Sequence, residues 1–133
     1  MNALEWLTAS TVLTALLWVP YILERMASLG IMGAMQPVDP EDVEKQSLWA
    51  QRARRAHYNA VENLVVMGVL VLTAHAMGVS ENGTVLLATQ MYFWARLVHF
   101  PVAAGGIPFA RTLAFLTGWA AQMMVALVIM GIL

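Results

Sequence analysis

Apolar and small residues fill Ala9 to Leu23 almost without interruption. Carried back to Leu4 across Glu5, the run reaches the ~20 residues that an α-helix needs to cross a hydrocarbon layer of ~30 Å. This pattern predicts a first helix over about 3–28, with Pro20 inside it and expected to kink or loosen its last turns. The stretch GIMGAMQPVDPEDVEKQ then breaks every periodicity with glycines, prolines and charges, and predicts an aqueous loop over about 29–46. Within it, Asp39-Pro40-Glu41 reads as a cap opening a short lead-in to the next helix.

A second helix is predicted over about 47–77, longer than a single crossing requires, so its first turns should stand in the headgroup zone. Ser80, Asn82 and Gly83 make a polar turn, a third helix follows over about 84–104, and Gly105, Gly106 and Pro108 mark another turn. The fourth helix covers about 108–132. One longer and two short connections force antiparallel neighbours, so the expected fold is all-α: an integral membrane, four-helix, up-down bundle forming one domain over 1–133. Glu5 stands where a cleaved leader would carry a positive charge, which argues that the first segment is a retained helix.

Composition supports lipid as the solvent. The chain is 60% hydrophobic and 11% charged, against roughly 25% charged in soluble domains. A formal net charge of −1 gives no basic footprint for nucleic acid. The absence of cysteine removes disulfides, thiolate metal sites and a thiol nucleophile, so any sulfur chemistry has to come from a bound molecule. The histidines at 57, 75 and 99 have no repeated ligand spacing, and no metal site is expected. The ten methionines read as soft packing, and Gly118, Ala121 and Gly131 as points of close helix contact. All seven lysines and arginines belong to one end of the bundle. The positive-inside rule makes that end, with the 29–46 loop, cytoplasmic in a bacterial inner membrane.

The scarce polar residues are concentrated. In RARRAHYNAVEN, 52 to 63, Arg52, Arg55, Asn59 and Glu62 recur at steps of three and four and should stack along one helix face. Glu62 lies about 10 Å of helix rise beyond Arg55. A short carboxylate at that depth needs a partner in the bundle interior, with Arg55, Arg96 or Arg111 as the expected ones. His57 and Tyr58 should point away from this ridge. Arg96 and His99 lie near the end of the third helix and Arg111 near the start of the fourth, at similar depth. Several cations around one carboxylate predict a site for a small anion with carboxylates of its own, which planar guanidinium groups bind bidentately. The competing reading is that the arginines only face lipid phosphates; it accounts for Arg52 and Arg54 better than for Asn59, Glu62 and Arg96.

RARRAHYNAVEN, followed by ARLVHF at 95 to 100 and IPFARTLAF at 107 to 115, resembles the MAPEG family, the membrane-associated proteins in eicosanoid and glutathione metabolism. The likeness is to its microsomal glutathione transferase-like members, in a bacterial form. It implies a homotrimer with glutathione held between subunits near the cytoplasmic face, and transferase or peroxidase activity on small lipophilic electrophiles drawn from the surrounding lipids. Carried over by position, it implies that Arg55, Asn59 and Glu62 bind glutathione, with Arg52 and His57 accompanying them. It also implies that Arg111 stabilises the thiolate, that Arg96 and His99 are peripheral, and that Arg25 is a further contact. Where the family usually has a tyrosine one turn after the third-helix histidine, this chain has Ala103, and Pro101 lies within that turn.

Three alternatives stand beside the enzyme: a non-catalytic glutathione- or lipid-binding protein, which the missing tyrosine favours, a small organic-anion transporter, and a structural membrane protein whose polar cluster only locks the helices together. Against transport, the polar groups gather at one end, and none is expected in the far half of the second or fourth helix.

Overall fold

A computed structural model describes all 133 residues, and every regular element is helical. α1 (Ala3–Leu16) opens on a reciprocal cap: the Glu5 amide donates to Asn2 Oδ1 at 2.9 Å, and the Asn2 amide to Glu5 Oε2 at 2.8 Å. α2 (Trp18–Ala34) follows after a break at Leu17. The predicted first helix is therefore two. Pro20 has no N–H for the carbonyl four residues back, at Leu16, and its ring crowds that carbonyl, so the ladder gives way just ahead of the proline.

The loop expected over 29–46 is also largely helical. α2 continues to Ala34, its path interrupted at Gly30, where φ is 74° and ψ 166°. A further short helix, α3 (Pro40–Lys45), starts behind Asp39, whose side chain accepts from the Asp42 amide at 2.9 Å. Two charged neighbours fasten this region. Arg25, 2% exposed, donates Nε to the Ala34 carbonyl at 3.2 Å and Nη2 to the Gln36 carbonyl at 3.1 Å, with Asp42 at 4.0 Å. Glu24 accepts from Ser28 Oγ, Gln46 Nε2, Ser47 Oγ and the Ser47 amide at 2.7 to 3.1 Å. Its carboxylate thus caps α4 (Leu48–Ala76), whose own N-cap residue, Ser47, makes no capping bond from its side chain.

α4 passes its alanines Ala50, Ala53, Ala56 and Ala60 along the packed face at helical spacing, which lets neighbouring backbones come close. α5 (Gly83–Ala104) begins behind Asn82, which accepts from the Thr84 amide at 2.8 Å, and runs through Pro101 without a break. A glycine turn leads to α6 (Pro108–Ile129), and Gly106 takes φ 71° there. The larger core, formed around Met67, Val71, Val85, Tyr92 and Val125, lies toward the far half of the bundle. A smaller one, Tyr21 with Ala50 and Ala53, lies at the end where the basic residues gather.

Large apolar side chains cover the outside, among them Val65, Val69, Leu72, Trp94, Leu113 and Trp119. The stretches 3–34, 48–76 and 108–129 are long and apolar enough to cross a membrane. α5 matches α6 in length, 22 residues, but carries Arg96 and His99, which it buries against its neighbours. The protein is an all-α, multi-spanning helical bundle.

Candidate functional site

Between the two cores, α4, α5 and α6 part around a cavity of about 390 Å³. α4 contributes Arg52, Arg55, Ala56 and Asn59, α5 His99 and Ala103, and α6 Arg111, Thr112 and Phe115. The steps of three and four that gather Arg52, Arg55 and Asn59 on one ridge of α4 place them all on this wall. No carboxylate lines the cavity. The Thr112 hydroxyl is spent on the Pro108 carbonyl at 2.9 Å, so the remaining polar wall consists of three guanidinium groups, one amide and one imidazole.

Behind the wall lies Arg96, 3% exposed. Its Nη2 donates to Asn59 Oδ1 at 2.8 Å and lies 3.4 Å from His99 Nδ1. Its stem runs past Gly118, where an added Cβ would stand 3.7 Å from Arg96 Cδ and 3.9 Å from the Tyr92 ring. A small residue at 118 leaves α6 room for this buried arginine, with space for a methyl group at ordinary contact distance and for nothing larger. Arg96 Nε and the Tyr92 hydroxyl are both buried with no partner in the chain.

Four sequence-derived site residues lie elsewhere. Arg96 is beneath the wall rather than in it. Arg25 is taken up by the carbonyls that end α2 and faces no cavity shared with the α4 arginines. His57 hydrogen-bonds the Tyr21 hydroxyl through Nδ1 at 2.7 Å, on the side of α4 turned to α2. Glu62 was expected to pair with an interior arginine, and it does not. It is exposed, and the ion pairs present are Arg25–Asp42 at 4.0 Å and Lys45–Asp42 at 3.9 Å. Around α4 Glu62 lies within about 20° of Arg55, so depth separates them: Glu62 stands about 10 Å of helix rise beyond Arg55, outside the cavity lining.

Two residues that the sequence reading did not select complete the polar interior. Asn63, one turn below Asn59, donates Nδ2 to the Asn59 carbonyl at 2.8 Å and lies 3.3 Å from Asn59 Oδ1. Gln122 of α6, 3% exposed, donates to the Asn63 carbonyl and to Asn63 Oδ1, both at 3.2 Å. The signal was available: Asn63 follows Asn59 by four residues, and Gln122 is the one amide in α6. Asn63, with His75 beyond it, and Gln122 correct the expectation that the far halves of the second and fourth helices hold no polar group. Below Gln122 the interior closes again on Val71, Ala74 and Val125, each 0% exposed, so the polar column ends inside the bundle.

These features define a class: a membrane-embedded helical bundle with a cation-lined cavity at one end. The family model of the MAPEG family matches residues 3–131. The chain therefore belongs to the MAPEG family. No curated protein and no solved structure matches it.

Proposed function

We propose that the cavity binds glutathione and that the protein is a glutathione-dependent transferase or peroxidase acting on lipophilic electrophiles at the membrane. The observation that carries this reading is the lining of the cavity: Arg52, Arg55 and Arg111 from two helices, with no acidic residue to neutralise them. Glutathione fits that set. It is a tripeptide with two carboxylates, for which guanidinium forks are suited, and it carries the thiol that a chain without cysteine lacks.

Arg52 and Arg55 hold carboxylate, and Asn59 hydrogen-bonds the peptide. Arg111, entering from α6 on the opposite wall, favours thiolate over thiol. A free thiol has a pKa of about 8.5, and a neighbouring fixed positive charge lowers it, which makes the nucleophile abundant at neutral pH. Phe115, Ala56 and Ala103 make the rest of the wall apolar, as a co-substrate drawn from lipid requires.

Glu62 supports self-association, and the resemblance to the family makes that assembly a homotrimer. It stands exposed on a ridge with Val61, Val65 and Val69, and a carboxylate turned to hydrocarbon is costly. A second copy of the chain laid along that ridge removes the cost by supplying donors. The collection of all basic residues at the cavity end supports a cytoplasmic position for that end in a bacterial inner membrane.

Calorimetry of glutathione with the detergent-purified protein, run beside turnover assays on a generic aryl halide and a lipid hydroperoxide, tests the reading. Binding with turnover is expected, and absence of binding removes it. The Arg111→Ala variant should lose the ultraviolet absorbance of the thiolate; an unchanged signal takes Arg111 out of the mechanism. The second reading, a glutathione-binding protein without catalysis, is favoured by Ala103, which leaves no hydroxyl on that part of the wall. Binding without turnover selects it.

A further inference from the structure

An arginine side chain has donors and no acceptor, whatever its orientation. The atom of Asn59 that faces Arg96 Nη2 at 2.8 Å is therefore its oxygen. The atom of Asn63 that approaches that oxygen also lies 2.8 Å from the Asn59 backbone carbonyl, an acceptor, and so is its amide nitrogen. Asn63 then turns its own oxygen toward Gln122, and the Gln122 atom that faces both this oxygen and the Asn63 backbone carbonyl is again a nitrogen. One buried cation and two main-chain carbonyls thus fix the orientation of three amides in series, although an amide's two ends are nearly identical in shape.

The direction has a consequence at the cavity. Every hydrogen bond between side chains in the series is donated toward Asn59 Oδ1, from Gln122 through Asn63 on one side and from Arg96 on the other. The Asn59 nitrogen, which has no acceptor in the chain, is left to the cavity that Asn59 lines. We propose that Asn63 and Gln122 are positioning residues that lock the Asn59 side chain so that it presents only N–H donors to the ligand.

Arg96 imposes the same sense on His99. A ring nitrogen that faces Nη2 at 3.4 Å accepts, so the imidazole proton is on Nε2. The interior therefore converts two ambivalent groups of the wall, an amide and an imidazole, into donors. Together with the three guanidinium groups they demand an acceptor-only partner, a carboxylate or a peptide carbonyl. This inference rests on the glutathione reading for the identity of the ligand, but the orientation of Asn59 does not depend on it.

The test uses the protein in detergent, labelled with ¹⁵N-asparagine, with the Asn59 side-chain signal identified by its loss in Asn59→Asp. Asn63→Asp keeps the shape and replaces the donor by an acceptor, and Gln122→Met removes the outer donor at similar volume. Without any ligand, both variants should shift the Asn59 amide signal and speed its exchange with water. An Asn59 signal that neither variant moves overturns the proposal. With glutathione, Asn63→Asp should raise the dissociation constant about tenfold and Gln122→Met about threefold, as expected for disturbing rather than deleting a buried hydrogen bond. The double variant should be no weaker than Asn63→Asp alone, because the two residues act through one amide. Where turnover is measurable, KM should rise with kcat little changed; a fall in kcat at constant KM counts against positioning. If the wild-type protein binds no glutathione, the functional reading fails while the ligand-free signals still decide the orientation.

Discussion

The guanidinium group of Arg52 lies against the backbone of Gly106: a Cβ added at 106 would stand 2.7 Å from Nη1 and 2.8 Å from Cζ. The turn between α5 and α6 thus forms a seat for an arginine of α4, and only a residue without a side chain leaves it vacant. Gly106 also holds φ 71°, a conformation that L residues adopt at a cost. Gly106→Ala should therefore destabilise the protein by about 1–3 kcal/mol and displace Arg52 as well. Thermal unfolding in detergent measures the first effect and weaker glutathione binding the second. Combining it with Arg52→Ala should leave the backbone cost and abolish any further loss of affinity.

Glu24 is the acceptor for both the amide and the hydroxyl of Ser47 and for the Gln46 amide, so the start of α4 depends on a carboxylate from another helix. Glu24→Ala should cost about 2 kcal/mol, the scale of losing a charge-assisted helix cap. Glu24→Gln should cost less, because one oxygen remains. Denaturation in detergent ranks the three proteins, and amide exchange at residues 48–50 should accelerate in the same order.

Much of this architecture was legible from the apolar runs, because crossing a membrane sets a helix length that short turns such as 80–83 and 105–108 then delimit. The ridge Arg52, Arg55, Asn59 was legible for a similar reason: residues three and four apart share a face, and all three reach the cavity. Glu62 shows where that rule stops. Periodicity assigns a stripe along the helix, but one end of that stripe can line a cavity while the next turns face outward, and only the neighbouring helices decide where the cavity stops. The split of the first helix was half visible, since Pro20 announced a disturbance without fixing that it would fall at Leu17. Arg25 and Glu24 were not legible as clamps, because their partners are backbone groups, and a sequence carries no mark of which carbonyls lie nearby.

His57 has its Nδ1 bonded to the Tyr21 hydroxyl and takes no part in the cavity wall. His57→Ala should leave glutathione affinity within about twofold of the wild type while lowering stability by about 1 kcal/mol, the net worth of one hydrogen bond. Tyr21→Phe should do the same, and the two together should cost little more than either. A large loss of binding in His57→Ala would return the residue to the site.

Gly118 separates two outcomes. Its Cβ position has Arg96 Cδ at 3.7 Å, an ordinary contact, so Gly118→Ala should be tolerated and gain up to about 1 kcal/mol from helix propensity. Gly118→Leu fills the volume of the arginine stem and should cost about 3 kcal/mol. It should also shift the Asn59 and His99 side-chain signals, because both take their orientation from the displaced group.

The sealing of Arg25 and Arg96, 2% and 3% exposed, bears on how the chain is first threaded into its bilayer. Insertion reads charge on an unfolded polypeptide, when all seven basic residues still count toward the choice of side. Folding then withdraws two of them from the lipid headgroups, so the finished protein is held at its surface by fewer cations than directed it there.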